Sequence, residues 1–253
     1  MTADEYLRAI LKRERVDTGI LSPVRIVHSR LKPSIDKWAG QSLVSMAASG
    51  SFAKGTAVTS GTDIDLFLSL SSSTPETLKV IYNTLHNRLK EDGYFPRLQN
   101  VSIGVKVGGY DVDLVPAKRQ DQYSHSHSLY RRRADTWTKT NITTHINTVQ
   151  QSNRLEEIMI LKTWRNQMGL EFPSFYLELV AIRACHGRTI GNLAANVSHT
   201  FEYIRDNIET AVFIDPANAN NRISSDLNAT EKRSLKLAAI NARTAQTWGK
   251  IVV

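Results

Sequence analysis

One stretch in the first third of the chain ties a turn of small residues to a strand that carries two carboxylates. Residues 50–56 read Gly-Ser-Phe-Ala-Lys-Gly-Thr, and a short polar segment leads from them to Asp63-Ile64-Asp65-Leu66. Successive side chains of a β-strand point to opposite faces, so Asp63 and Asp65 share one face while their apolar neighbours share the other. The stretch therefore predicts a half-buried strand that presents two carboxylates beside a tight turn.

These residue types suit the binding of phosphate and metal ions. Gly50 lets the backbone approach a ligand closely, and Ser51 with the N–H groups of the turn can hydrogen-bond a phosphate. Carboxylates such as Asp63 and Asp65 are hard oxygen ligands that suit Mg²⁺, with Mn²⁺ as the alternative ion. Two such ions can clamp an attacking hydroxyl and a phosphate, as nucleotidyl transfer requires. Lys54 is either a further phosphate ligand or a solvated side chain.

A third carboxylate follows a predicted hairpin. Residues 101–107 alternate as a strand does, and Gly108-Gly109 predicts a two-residue turn into a strand that begins at Tyr110. Asp111 and Asp113 share one face of that strand, so spacing alone allows either as the third metal ligand. A ligand there would orient the attacking hydroxyl or help to deprotonate it.

The Gly-Ser turn, the Asp-x-Asp strand and the third aspartate together resemble the nucleotidyltransferase superfamily of the DNA polymerase β type. Residues 113–117, Asp-Leu-Val-Pro-Ala, match the third-strand motif of that superfamily, which favours Asp113 over Asp111. The resemblance implies an α+β fold: a polymerase β-like catalytic lobe with a mixed sheet and helices, then an oligoadenylate synthase-like helical lobe, with a cleft between them. We expect the catalytic lobe over residues 1–130 and the helical lobe over 131–253.

The second half of the chain predicts helices and no strand after residue 142. Four helices are expected, over residues 142–167, 174–187, 191–208 and 229–247. The segment before them, which contains His125 and His127, is interpreted as a polar loop.

Some residues of this half resemble nucleotide-binding positions of oligoadenylate synthase-like enzymes. The resemblance implies that Lys162 binds the triphosphate, that Ser174 contacts phosphate and that Phe175 stacks on a base. His145 lies near the position of a triphosphate-binding histidine in archaeal CCA-adding enzymes. From the residues alone, these side chains can equally be a helix-surface lysine and histidine, a helix N-cap and a core aromatic.

Residues 215–221, Asp-Pro-Ala-Asn-Ala-Asn-Asn, resemble a segment of the bacterial CD-NTases, the cGAS/DncV-like nucleotidyltransferases that make cyclic oligonucleotides as anti-phage signals. The whole resemblance extends over residues 40–245. It departs from the family at Ile142, where proline is frequent. It implies a Mg²⁺-dependent enzyme that joins NTPs into a cyclic di- or trinucleotide and releases pyrophosphate, in CBASS-type defence.

Charge and composition bound the partners. The formal net charge of +8 favours polyanions, so we expect NTP substrates and an activator that is a nucleic acid or an accessory protein. No apolar run approaches the ~18 residues of a membrane span, so no membrane partner is expected. The single cysteine, Cys185, excludes an internal disulfide. The polar N-terminus lacks a signal pattern, and together these features predict a cytoplasmic protein.

Two other functions compete with the cyclic-oligonucleotide synthase. One is a template-independent RNA nucleotidyltransferase of the CCA-adding or poly(A) type, although such enzymes usually carry further RNA-binding domains. The other is a catalytically silent nucleic-acid sensor. The intact set of three aspartates argues against the sensor.

Overall fold

A computed structural model describes residues 1–17, 19, 22–61 and 63–253 of the chain. It confirms the predicted α+β class, with a mixed sheet and many helices. The helices are α1 (Ala3–Glu14), α2 (Pro23–Ala39), α3 (Gly50–Lys54), α4 (Leu78–Glu91), α5 (Ile142–Gln150), α6 (Leu155–Gln167), α7 (Ser174–Ala184), α8 (Leu193–Asn207) and α9 (Ala229–Thr244). The strands are β1 (Leu43–Ala48), β2 (Ile64–Leu70), β3 (Arg97–Leu98), β4 (Ile103–Val107), β5 (Tyr110–Arg119), β6 (His127–Arg131), β7 (Thr136–Thr140), β8 (Ile214–Asp215) and β9 (Asn218–Arg222).

Seven strands form one sheet, in which β1, β2, β5, β4 and β3 lie side by side in that order. Strand β6 pairs with the far end of β5, and β7 pairs with β6. β2 and β5 run parallel, whereas β4 and β5 form an antiparallel hairpin. The hairpin turn is Gly108-Gly109, both with positive φ, as the sequence predicts for a turn that L-residues adopt poorly. The hairpin returns β5 alongside β2, the strand that contains Asp65 and directly follows Asp63.

The described chain divides into two compact units. The sheet unit comprises Asp17–Lys54 and Asp63–Ile146, and its core lies between the sheet and helices α2 and α4. Its fully buried side chains include Leu31 and Ile35 of α2, Tyr82 and Leu85 of α4, and alternate residues of the central strands. The opposite face of β2 and β5 carries Asp65 and Asp113 at one end and a small apolar cluster of Phe67 and Ala117 further along.

The helical unit comprises Met1–Val16, Gly55–Thr62 and Asn147–Val253. Its core contains large side chains of three helices, Trp164 of α6, Tyr176 of α7 and Phe201 of α8, with Trp164 and Phe201 in edge-to-face contact at 4.8 Å. Leu7 and Ile10 of α1 are buried in the same core. Among the described residues, no helix combines the length and apolar character needed to cross a membrane.

These units differ from the division expected at residue 130. Residues 131–146 stay with the sheet, because β6 and β7 extend it. Helix α1 and residues 55–62 instead belong to the helical unit.

Three local expectations were wrong. His127 is a buried residue of β6, not part of a polar loop. The helix expected over 142–167 is two helices separated by a turn at residues 151–154. The segment 214–222 is a β-hairpin, although no strand was expected after residue 142.

Candidate active site

The Gly-Ser turn packs directly against the second carboxylate of the Asp-x-Asp pair. Gly50 begins the short helix α3 with a φ of +55°. A Cβ atom at this position would lie 1.7 Å from Oδ2 of Asp65, so only glycine leaves room for the carboxylate. The backbone N–H of Ser49 also donates to the carbonyl of Asp65 at 2.8 Å. Ser51 is half-buried in this turn, and the side chain of Lys54 is buried.

Two aspartates lie on one face of the sheet, and a third directly precedes the strand β2. Asp63 immediately precedes β2 and is exposed, whereas Asp65 and Asp113 are half-buried. The parallel register of β2 and β5 places Asp65 directly beside Asp113. Burial raises the pKa of Asp113, and the negative charge of Asp63 raises it further. The sheet therefore brings Asp113 close enough to Asp63 for the charge of one carboxylate to raise the pKa of the other.

Two residues that sequence reasoning missed hold the carboxylate of Asp113. The amide of Gln99 donates to Oδ1 at 2.9 Å, and the hydroxyl of Ser102 lies 3.4 Å from Oδ2 and also donates to the Gln99 side chain. These bonds act against the rise in the pKa of Asp113. The hydroxyl of Tyr82 bonds the backbone carbonyls of both Gln99 and Ser102, which fixes the turn between β3 and β4. The only sequence signal for these residues is their place just before a strand that pairs with β5.

Asp111, the competing third carboxylate, has other partners. It forms ion pairs with Arg97 at 3.0 Å and with Lys106 at 3.5 Å. Since its charge is already balanced, the geometry favours Asp113 as the third ligand.

The donor set fits a divalent cation. Asp63, Asp65 and Asp113 supply hard oxygen atoms. Burial is the main cause of the raised pKa of Asp113, the negative charge of Asp63 adds to it, and a bound cation would favour the charged form of this carboxylate. In the part of the chain that the structure describes, no three His, Cys, Asp or Glu side chains are already gathered as a metal-binding group. Nucleotidyltransferases of this fold generally depend on divalent metal ions.

The remaining predicted residues lie in different environments. In the sheet unit, His145 is half-buried on α5. In the helical unit, Ser174 begins α7 and accepts a hydrogen bond from Arg165 at 3.0 Å, and the half-buried Phe175 packs against the core. Lys162 is 1% exposed, and its ammonium donates to the carbonyl of Thr56 at 2.9 Å. Their nucleotide-binding roles stay predictions.

Arg165, which sequence reasoning did not select, is the buried cation next to Ser174. Its guanidinium also donates to the carbonyl of Phe172 at 3.1 Å. Burial lowers the pKa of Arg165, and the charge of Glu178 opposes that effect. The position follows Trp164 in a helix buried on most sides, where a sequence pattern gives no sign of a functional arginine.

Comparisons with known proteins agree with this architecture. No family model matches the chain. The cyclic AMP-AMP-AMP synthase of Escherichia coli (strain MS 115-1) is 27% identical over 183 residues, which are 64% of this chain and 57% of that protein. The chain thus spans less than two thirds of the length of this curated relative.

Solved structures match over nearly the whole chain. E. coli MS115-1 CdnC with ATP superposes with a TM-score of 0.78 at 21% identity, over 99% of this chain and 97% of CdnC. The structure of the complex of CdnC with HORMA-deltaN superposes with a TM-score of 0.75 at 22% identity, over 98% of this chain and 96% of that chain. The Bradyrhizobium diazoefficiens CD-NTase CdnG with GTP superposes with a TM-score of 0.75 at 14% identity, over 95% of this chain and 90% of CdnG. The fold is therefore that of the bacterial CD-NTases, and the resemblance seen in the sequence motifs is confirmed.

Proposed function

We propose that this protein is a divalent-metal-dependent nucleotidyltransferase that joins NTPs into a cyclic di- or trinucleotide. The observation that carries the proposal is the alignment of Asp65 with Asp113 on parallel strands, with the charge of Asp63 acting on Asp113 and Gly50 packed against Asp65. The similarity to a cyclic AMP-AMP-AMP synthase supports a cyclic product over an extended RNA. Anti-phage signalling in the cytoplasm is the corresponding biological role.

Each residue of the site has a role in this chemistry. Ser51 and the N–H groups at the start of α3 hold the triphosphate. A 3′- or 2′-hydroxyl oxygen attacks the α-phosphorus, the bond to the bridging oxygen breaks, and pyrophosphate leaves. Asp113, held by Gln99 and Ser102, orients the attacking hydroxyl or accepts its proton. Mg²⁺ bound by the three aspartates would neutralise charge on the phosphates and lower the pKa of the hydroxyl.

Further residues are proposed to bind the nucleotide. Phe175 presents an aromatic ring for stacking on a base, which contributes about 1–3 kcal/mol in comparable sites. Ser174 is proposed to contact phosphate, with Arg165 as a neighbouring cation. Lys54 and His145 are proposed to contribute near the phosphates.

Cyclisation is favoured once a linear intermediate is held with both ends in the site. The closing attack is then intramolecular, which removes the entropic cost of bringing a second molecule into place. The complex of CdnC with HORMA-deltaN supports an accessory protein as the activator of this chain. A nucleic acid is the alternative activator.

Primer-free synthesis tests the proposal. Purified protein is incubated with each labelled NTP, alone and mixed, with Mg²⁺ and no RNA, and the phosphatase-treated products are analysed by chromatography and mass spectrometry. We expect a short product without terminal phosphate. Replacement of both Asp63 and Asp65 by alanine should lower the rate by about 10³-fold or more, because metal clamping contributes several kcal/mol to the transition state. Asp111→Ala is the matched control and should retain activity.

Other outcomes point to the competing functions. Elongation of added tRNA or oligo-RNA, without a phosphatase-resistant product, would indicate an RNA nucleotidyltransferase. If neither product forms, Mg²⁺ binding that depends on the three aspartates would indicate an enzyme that lacks its activator, and absence of that binding would indicate a silent sensor.

A further inference from the structure

The loop between the two halves of the catalytic motif is built into the helical unit. Residues 55–61, here called the connecting loop, follow the Gly50–Lys54 helix and lead toward Asp63. Thr56 of this loop is completely buried. Its hydroxyl donates to Glu178 of α7 at 2.9 Å, and its carbonyl accepts from the ammonium of Lys162 on α6 at 2.9 Å. The side chain and the backbone carbonyl of Thr56 are thus held by side chains of two different helices.

A second anchor holds the other end of the connecting loop. The hydroxyl of Thr59 and the N–H of Ser60 both donate to one carboxylate oxygen of Glu14 in α1, at 3.0 and 2.9 Å. Burial alone would raise the pKa of Glu14, yet these bonds with Ser60 and Thr59 lower it. Gly61 then passes so close to Asn166 that a Cβ atom would lie 2.7 Å from its amide nitrogen. The loop is held along most of its length.

The first anchor, formed by Thr56 with Lys162 and Glu178, contains two charged side chains that are buried at an energetic cost. Lys162 is 1% exposed and Glu178 is 0% exposed. A charged group is costly to bury unless hydrogen bonds and opposite charges compensate it, so fully buried lysine and glutamate side chains indicate a specific role. In this structure the ammonium of Lys162 contacts the loop backbone.

We infer that Lys162, Thr56 and Glu178 are positioning residues that hold the connecting loop, Lys162 through the backbone carbonyl of Thr56. The loop is covalently joined on one side to the phosphate-binding turn and on the other to the Asp-x-Asp pair. Fixing it sets the spacing between Ser51 and Asp63. A displacement of about 1 Å in a catalytic group can lower a rate about 10²-fold, so such an anchor matters for catalysis. The inference rests on the proposed function for its catalytic part, while the anchoring part concerns the free protein.

Three variants of the intact protein separate the roles. Thr56→Val removes the hydroxyl with little change of shape, Lys162→Met removes the ammonium with little change of length, and Glu178→Gln keeps an acceptor for Thr56. Lys12→Met, on the exposed surface of α1, is the matched control. The measurements are hydrogen exchange of the amides of residues 57–61 without ligand, the affinities for ATP and AMP by calorimetry, and kcat.

We expect exchange in the loop to rise about tenfold in Thr56→Val and Lys162→Met, which corresponds to the loss of about one hydrogen bond. We also expect kcat to fall about 10- to 100-fold, as for other residues that orient a catalytic group. In Thr56→Val the ratio of ATP to AMP affinity should stay within about twofold of the wild type, because the altered side chain is completely buried. The loop exchange and the kcat of Glu178→Gln should lie closer to the wild-type values than those of Thr56→Val, because glutamine keeps an acceptor for the Thr56 hydroxyl.

The opposite pattern would overturn the inference. If Lys162→Met weakens ATP binding about tenfold or more but not AMP binding, with unchanged exchange in the loop, the lysine is a direct triphosphate ligand. If Lys162→Met does not fold, unchanged loop exchange in Thr56→Val would by itself show that these residues do not hold the connecting loop. A wild-type protein that makes no nucleotide product would contradict the proposed function but leave the exchange measurement valid.

Discussion

Gly50 and Asp65 determine each other's position in the site. The absence of a side chain at Gly50 is what admits the carboxylate of Asp65, since a Cβ atom would lie 1.7 Å from its oxygen. Atoms cannot approach so closely, so any larger residue must displace either the turn or the carboxylate. The turn and the strand therefore form one rigid contact.

Substitution of this glycine tests the contact. Gly50→Ala should lower activity about 10²-fold or more, because the carboxylate or the turn must move by about 1 Å. Gly40→Ala is a matched control, since Gly40 also has a positive φ, +50°, but has no atom within 4 Å of a Cβ. The control should lose only about 1–2 kcal/mol of stability and keep its rate. Equal activity losses in the two variants, measured by initial rates and thermal unfolding, would mean that backbone strain and not the contact is responsible.

Gln99 supports a second prediction at this scale. Gln99→Leu removes the amide that donates to Asp113 and should weaken Mg²⁺ binding and activity about 10- to 100-fold, as loss of a group that orients a metal ligand does. Gln120→Leu, an exposed glutamine of the same unit, is the control. Metal affinity is measured by calorimetry and activity by product formation. Unchanged metal affinity in Gln99→Leu would show that the amide is not needed to hold the carboxylate.

The residue scale also shows what a sequence can predict about a site. The sequence predicts Asp63, Asp65 and Gly50 as site residues because strand periodicity and turn chemistry act over a few residues. Its motif favours Asp113 over Asp111, and the structure adds that Asp111 is paired with cations. Gln99 could not be identified, because its contact with Asp113 depends on the register of two paired strands.

At the scale of elements, β6 is joined to β2 through a buried histidine. Nε2 of His127 lies 2.8 Å from the hydroxyl of Ser69, and Nδ1 lies 2.9 Å from the carbonyl of His125. Since only an N–H can bond the carbonyl, this geometry assigns the proton to Nδ1 and makes Nε2 the acceptor. The ring also meets Phe67 edge to face at 4.9 Å. The neutral histidine thus ties the two strands together.

This arrangement predicts a pH dependence of stability. Burial lowers the pKa of His127 in the folded protein below its unfolded value of about 6.5. The unfolded state then binds the proton more tightly, so this contribution is present above about pH 6.5 and is lost as the pH falls below it. His127→Gln should unfold more easily at pH 8, by about 1–3 kcal/mol, and should show a flatter decline of stability between pH 6.5 and 5 than the wild type.

Denaturant unfolding at a series of pH values measures this difference. His125→Gln, at an exposed neighbouring position, is the control and should follow the wild type. Parallel pH profiles for His127→Gln and the wild type would contradict the prediction.

Elements were predicted unevenly for physical reasons. Long amphipathic helices such as α2 and α9, and the Gly-Gly hairpin, have strong local signals. The strands β6 and β7 have weak ones, because β7 is exposed over most of its length and a basic segment separates the two. In the hairpin of β8 and β9, the side chain of Asp215 bonds Ala217 and Asn221, and such turn chemistry is not visible as a hydrophobic period.

At the scale of the whole molecule, the chain enters and leaves the two compact units several times. The sequence predicts a strand-rich part followed by a helical part, and that order is correct. It did not predict that α1 and the connecting loop belong with the helical part. An amphipathic helix shows that it has a buried face but not which partner covers it.

The place of α1 gives a testable consequence for folding. Leu7 and Ile10 are buried in the core of the helical unit, and the hydroxyl of Tyr6 donates to the carbonyl of Val252 at 3.1 Å. Each buried apolar side chain contributes about 1.5–3 kcal/mol, so residues 147–253 alone should not unfold cooperatively. The same fragment joined to residues 1–16 by a flexible linker should recover a cooperative transition. Circular dichroism on heating compares the two fragments, and identical transitions would show that α1 is dispensable.

The discontinuous path of the chain also limits how such proteins can be recombined. A hybrid with a relative of this fold that exchanged only the segment after residue 146 would combine foreign helices with a native connecting loop and a native α1. Thr56 of the loop and Leu7 of α1 would then face residues that had not varied together with them. A functional exchange must transfer three separate segments together: Met1–Val16, Gly55–Thr62 and Asn147–Val253. The middle segment is short and lies between the two parts of the catalytic motif.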